Sequence, residues 1–304
     1  MAKRRTIAKV VRDSSAAHLN VIGMESDVTM VERLMNLNLS HVSIILYLRC
    51  PEENIWSNLN NYFIPPIHID DGEGIGLKGE IAPEIFFIPN LKDLEIEFFD
   101  ADEKKRGKLG GTIPATIGNA SKLRALDIQK QSLEGTIPEE LYDATSLREI
   151  DLDSNKLTGT ISDSIGKLTN LVFFTAVDND FDEQEIPSTF SQLTSLKYFG
   201  LNNANLVGAV PDGLGNLVQM LFLDLSDNAL TGDISFIEDY TNIITIALDN
   251  NEFDGDIPEP VWGFQDLEVL NLENNGFTGS IPSSVSGLKK IKSKLFSRRF
   301  PQYP

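Results

Sequence analysis

The sequence predicts an α/β repeat solenoid, a right-handed superhelix with one parallel β-sheet on its concave side. Three observations predict it. One block, L-x-x-L-x-L-x-x-N-x-L-x-G-x-I-P, recurs down most of the chain. Its first apolar positions are Leu91, Leu123, Leu147, Leu171, Leu196, Met220, Ile243 and Leu267, spaced 32, 24, 24, 25, 24, 23 and 24 residues. The last two apolar residues of L-x-x-L-x-L stand two apart, the spacing of one strand face. A period of this kind stacks like units on one continuous core.

Each part of the block has a physical task. Stacked L-x-L triplets make a parallel sheet with a buried inner side. An Asn column (Asn155, Asn179, Asn228, Asn251, Asn275) stands where the chain turns away from the strand, placed to bond main-chain groups of neighbouring turns. Gln131 and Ala204 interrupt that column, and strain or a trapped water is expected there. Gly at the L-x-G-x-I site (Gly79, Gly111, Gly135, Gly159, Gly208, Gly232, Gly255, Gly279) permits a tight bend. The following Pro (Pro114, Pro138, Pro187, Pro211, Pro258, Pro282) fixes φ and starts the return segment. An earlier, degenerate block begins near Ile67. The 32 holds an insertion of eight residues within Glu97–Lys108, expected to bulge as a loop. The 25 carries one extra residue before Ile186, and the 23 drops a Pro after Ile234.

The L-x-G-x-I-P half resembles plant-type leucine-rich repeats, as in ectodomains of receptor-like kinases and receptor-like proteins and in polygalacturonase-inhibiting proteins. The resemblance implies a binding module placed outside the cell or at a membrane. One departure is the single cysteine, Cys50, followed by Trp56: the family's N-terminal cap carries a cysteine pair near a Trp, and here no intrachain disulfide can form.

The organisation expected is a terminal extension with a degenerate helical cap over 1–66, about nine repeats over 67–290, and a basic tail over 291–304. Asp27 is a candidate N-cap for a short helix over 27–37. Of the net charge of −19, residues 61–288 hold 13 basic and 39 acidic groups, whereas 289–304 hold six basic and none acidic. An acidic body disfavours nucleic acid and allows a basic protein or peptide partner. No signal peptide or membrane-spanning segment is legible, because Met1–Asn20 lacks an apolar stretch and Val42–Leu48 is too short. Membrane contact is expected only through a segment not seen here or weakly through the basic tail. Two sequons, Asn38-Leu-Ser40 and Asn119-Ala-Ser121, are present.

No catalytic constellation is legible, and no enzyme activity, cofactor or metal is expected. The histidines, His18, His41 and His68, all lie outside the regular repeats. Asp178, Asp180, Asp182, Glu183 and Glu185 begin like a calcium loop but have Glu183 where Gly is needed and Thr189 where Glu is needed. The candidate binding site is on the sheet. Phe173, Tyr198 and Phe222 hold the third position of three successive blocks and should stand side by side. Outward acids flank them: Asp151, Asp153, Asp224 and Asp249, with Glu95, Glu97 and Asp127 toward the N-terminus. An aromatic strip rimmed by charge suits protein or peptide recognition. The rival readings are an intracellular scaffold whose charge serves solubility, and an inhibitor of a carbohydrate-active enzyme.

Overall fold

The computed structural model describes residues 9–11, 18–22, 41–49, 78–81, 83–88, 90–99 and 108–296. The expected helix over 27–37, the first block near Ile67, Cys50, Trp56, Asn38, His68 and most of the insertion (100–107) lie outside these residues. The chain divides into two compact units, Met1–Leu157 and Thr158–Pro304.

In the first unit the sheet runs β1 (Lys9–Val11), β2 (His18–Ile22), β3 (His41–Arg49), β4 (Leu91–Phe99), β5 (Ala125–Asp127) and β6 (Glu149–Asp151), in that spatial order. β1 and β2 are antiparallel; every later pair is parallel. The run Val42–Leu48 thus lies within a sheet strand, paired over eight positions with β4, with a register shift between Val42 and Ser43. In the second unit the order is β7 (Phe173–Thr175), β8 (Tyr198–Gly200), β9 (Phe222–Asp224), β10 (Thr245–Ala247), β11 (Val269–Leu272) and β12 (Ser293–Phe296), all parallel. Sequence-adjacent turns are therefore neighbours in space.

The repeat phase read from the sequence holds. All eight starts are at most 1% exposed, and Leu152 and Leu225 are fully buried. Each turn adds one such layer to the core and removes roughly 25 cal/mol of unfavourable hydration per Å² of apolar surface. The return segments are single 3-10 turns. Pro at the position before the turn, in extended backbone, starts those at Ala115–Asn119, Glu139–Asp143 and Ser283–Gly287. Where Pro is replaced by Ser162, its hydroxyl accepts the Ser164 N–H instead. Where the Pro is missing altogether, the turn shrinks to Ser235–Ile237. Most of these five-residue 3-10 turns bury one or two apolar residues, for example Ile117, Leu141 with Tyr142, Ile165 and Leu214.

The seven repeat glycines from Gly111 to Gly279 have φ between 71° and 83°. A second left-handed column appears at the eighth block position: Lys130, Ser154, Asp178, Asn203, Asp227, Asn250 and Asn274. Five of these seven are Asn or Asp, whose short polar side chains tolerate that conformation. They also link successive turns: Asn203 donates to Asp178 (3.0 Å), Asn250 to Asp227 (2.8 Å) and Asn274 to Asn250 (2.6 Å).

The Asn column bonds between turns as its chemistry predicts. Asn155 accepts from the Leu133 N–H and donates to the carbonyls of Ile128 and Leu152. Gln131 does not interrupt this device. One methylene longer, its amide accepts from the Leu109 N–H (3.1 Å) and donates to the Ile96 and Gln129 carbonyls. At Ala204 the missing side chain is compensated from the next turn, where the Asn228 carbonyl accepts both the Ala204 and Leu206 N–H groups. The strain or water expected at these two positions is replaced by direct bonds. The extra residue before Ile186 gives Gln184 a similar inward role: its carbonyl accepts the Ile161 N–H at 2.7 Å.

Candidate binding face

The aromatic positions meet as expected. Phe173 pairs with Tyr198 and Tyr198 with Phe222, one per strand. The Phe173 and Tyr198 rings lie 5.6 Å apart, tilted by 39°. Tyr198 is 38% exposed, while Phe173 and Phe222 are half-buried. Behind them, on the core side, Phe174, Phe190 and Phe199 pack together, with Phe190 and Phe199 4.7 Å apart. The outer rings therefore stand on a rigid aromatic floor.

A feature missing from the sequence reading is the second block position. It is basic or acidic at Lys92, Arg124, Arg148, Lys197, Glu268 and Lys292, but apolar at Val172, Leu221 and Ile244. Ile244 is 39% exposed, and Val172 and Leu221 are half-buried. These residues add a second apolar row, interrupted before β8 by Lys197. The signal was available as a column whose charge disappears at three of its members.

Polarity rises along the strands. At the fifth block position Thr175 is 6% exposed, Gly200 has no side chain, and Asp224 is half-buried. A Cβ on Gly200 would lie 2.9 Å from the Thr175 methyl. The Thr175 hydroxyl has no hydrogen-bond partner. Asp224 accepts from the Ser226 N–H and hydroxyl. Asp249 accepts from the Asn250 amide at 3.0 Å. Its carboxyl is pushed above the usual carboxylate range, first by burial and then by the charges of Asp227, Asp224 and Glu273, against the lowering effect of a backbone hydrogen bond. These four acids therefore form one electrostatic group beside the aromatic rows.

Asp151 and Asp153 belong to the first unit. Asp151 is only 7% exposed and accepts from Gln129 (2.9 Å) and from the Asp153 N–H (3.1 Å). Asp153 is half-buried. On the same unit Glu149 has its carboxyl raised, by burial first, then by Asp127 and Asp93. Glu95 and Asp127 pair across β4 and β5; Glu97 lies in β4, with its side chain outside the described set. Of the acids with calcium-loop spacing, Asp178 accepts from Asn203, and Asp180, Asp182, Glu183 and Glu185 are exposed. Among the described residues, no three His, Cys, Asp or Glu side chains gather as metal ligands, and no helix is long and apolar enough to cross a membrane.

A family model described as Leucine Rich Repeat matches residues 146–168 and 266–288. No curated protein is matched. Among solved structures, the chain is similar to the plant peptide hormone receptor RGFR1, solved with RGF2 (28% identity, TM-score 0.64, covering 84% of this chain and 39% of that one). It is similar to the Arabidopsis receptor kinase HAESA, solved with the peptide hormone IDA and the co-receptor SERK1 (25%, TM-score 0.62, 81% and 50%). It is also similar to a plant ice-binding protein (25%, TM-score 0.59, 68% and 64%). The chain spans about two fifths to two thirds of the length of these proteins. Its architecture is the α/β leucine-rich-repeat solenoid.

Proposed function

We propose that this chain, a leucine-rich-repeat protein with the plant-type repeat, is a receptor-like binding module for a protein or peptide. Its ligand lies on the outer face of the second unit's sheet. Phe173, Tyr198 and Phe222, flanked by Val172, Leu221 and Ile244, supply apolar anchors; Asp224 and Asp249 orient a basic group. Asp151 and Asp153 belong to the first unit, with Asp153 the more accessible. The observation that carries this reading is the two-row apolar strip at 38–39% maximum exposure on an otherwise polar face. Large rings left in water on a rigid floor gain free energy only when a partner covers them. The peptide-hormone receptors among the similar structures support a ligand of this class and an extracellular setting. No catalytic role is assigned, since the face offers no nucleophile with an adjacent base.

The test is to select peptides from a random displayed library against the full chain and measure their affinity for two variants. Tyr198→Ala should weaken binding by about 1–3 kcal/mol and shift the melting temperature by only a few degrees. Leu201→Ala, which empties a fully buried core position, should instead lose about 2–5 kcal/mol of stability. Equal destabilisation by both variants with unchanged binding means that the strip is packing, and a scaffold role then gains.

A further inference from the structure

The most exposed large apolar side chain among the described residues is Phe87, at 49%. It belongs to the first unit and closes the 3-10 turn Pro83–Phe87, a return segment rather than a strand of the sheet. Ile85 and Phe86 are the buried residues of that turn, so the core makes no use of Phe87. In later turns the same place is polar and exposed: Asn119, Asp143, Lys167 and Gln192. A phenyl ring left in water at a place the repeat keeps polar points to something that covers it.

The next turn, Ala115–Asn119, packs on this one in the register of the 32-residue spacing between Leu91 and Leu123. Thr116 donates its hydroxyl to the Pro83 carbonyl at 2.9 Å, and the Lys122 ammonium donates to the Asn90 side-chain oxygen at 2.5 Å. Between these two ties Ile85 matches Ile117 and Ile88 matches Ala120, all four buried. Phe87 and Asn119 therefore hold the same place in adjacent turns. Asn119 opens Asn119-Ala120-Ser121, the one Asn-x-Ser/Thr triplet among the described residues, with Ala and not Pro in the middle. Asn119 and Ser121 are exposed and Ala120 is buried between them. A hydroxyl at the third place recurs in other turns, as Thr145, Thr169 and Thr194, and belongs to the repeat; Asn joins it in this turn alone. The Asn119 amide donates to the Thr116 carbonyl at 2.9 Å. An amide has two N–H groups, so one can be substituted while the other keeps this bond.

Resting on the extracellular setting proposed above, we propose that Asn119 carries an N-linked glycan whose first N-acetylglucosamine packs on the Phe87 ring. The donor is a polyprenyl-diphosphate-linked oligosaccharide of the secretory route. Asn119 Nδ2 forms a bond to C1 of the first sugar as the C1–O bond to the diphosphate breaks. The electron pair leaves with the polyprenyl diphosphate, and the amide proton passes to that diphosphate or to water. Ser121 supplies the hydroxyl that the acceptor triplet requires. A pyranose ring has an apolar C–H face that lies flat on an aromatic ring, so the sugar covers Phe87 and loses apolar surface of its own. The return side of these two turns is then sheathed in hydrated carbohydrate and closed to protein docking.

The experiment secretes the full chain from cultured mammalian cells behind a cleavable leader, as wild type, Ser121→Ala, Phe87→Ala and the double variant. Peptide-N-glycanase in heavy-oxygen water converts each modified Asn to labelled Asp, and peptide mass spectrometry reads Asn119 separately from Asn38. Asn119 should be labelled in wild type and in Phe87→Ala, and unlabelled wherever Ser121 is replaced. Thermal unfolding of the four chains then reads the contact. The glycan should raise the melting temperature by a few degrees beside Phe87 and leave it unchanged in the Phe87→Ala background. Nuclear Overhauser contacts between the N-acetyl methyl and the Phe87 ring in the wild type give the same answer without a variant. Unlabelled Asn119 in folded, secreted wild type overturns the site. Equal stabilisation in both backgrounds, or no contact between sugar and ring, overturns the packing on Phe87. The leader supplies the secretory route, so failure here removes the glycan alone. The binding face is judged separately, by the affinity of library peptides for Ser121→Ala with and without Tyr198→Ala.

Discussion

Asn228 reaches back one full turn to Leu201: its amide donates to the Leu201 carbonyl at 2.8 Å while its own carbonyl takes the Leu206 N–H at 2.9 Å. With the Ala204 N–H, which the same carbonyl accepts at 3.1 Å, the side chain closes three main-chain groups of the preceding turn and, through the Leu225 and Ser226 carbonyls, two of its own. Asn228→Ala should cost about 1–3 kcal/mol for each buried group left unpaired. It should cost more than Gln131→Ala, since the Ala204 N–H is released as well. Chemical denaturation of the two variants checks the ranking; equal, small losses would mean that water replaces the amides without penalty.

Thr175 and Gly200 make a second test. The Thr175 hydroxyl is buried without a partner. Thr175→Val removes it at nearly constant shape and should raise stability by about 1 kcal/mol. Gly200→Ala inserts a methyl 2.9 Å from the Thr175 methyl and should cost about 1–3 kcal/mol. Thermal unfolding reads both, and a drop in melting temperature for Thr175→Val would show that the hydroxyl has a partner in solution.

The acid rows make stability depend on pH in a stated direction. Glu149 and Asp249 have folded-state carboxyls raised above their ordinary values, chiefly by burial. Their ionised forms are therefore penalised in the fold. That penalty is present at neutral pH and is relieved as pH falls through the raised values toward the ordinary carboxylate range. Urea midpoints at mildly acidic pH should exceed those at pH 7 once other titrations are matched, and Glu149→Gln should shrink the difference. A variant with the same pH slope as the wild type would refute the assignment.

The insertion gives a prediction about tolerance. β4 ends at Phe99 and the next strand segment begins at Lys108. Deleting Asp100–Gly107 restores the 24-residue period and should leave a single cooperative unfolding transition, because loops of this length cost little to close or remove. Loss of cooperativity in the deletion would show that the insertion is part of the core.

Period and phase were legible because burial imposes them on every turn alike: a Leu at position 147 and one at 267 face the same inward layer. The glycine column was legible for the same reason, as a bend that only a residue without Cβ makes easily. The eighth-position column was harder to see, because Lys130, Ser154 and Asn274 share a backbone conformation and no chemistry. Gln131 misled because a column read by residue name hides that an amide one methylene longer can reach the same carbonyl. The binding face was half legible. Aromatics at the third position stand out, whereas Val172, Leu221 and Ile244 look like ordinary core residues until their column is seen to be charged elsewhere. Which acids are spent on local bonds, as Asp151 is on Gln129, depends on three-dimensional neighbours that a linear pattern does not contain.

The last described 3-10 turn, Ser283–Gly287, holds no buried residue, and Val285 and Ile291 remain half-buried where Val261 and Leu267 one turn earlier are sealed. A pile whose final course is loosely laid has a preferred direction of failure. Pulled from its carboxyl end, the second unit should let go of residues 281–296 first and then surrender its courses in descending number, each as a separate tooth in a force trace. The same sequence of events sets where a protease begins, and how far it travels before it meets a course that holds.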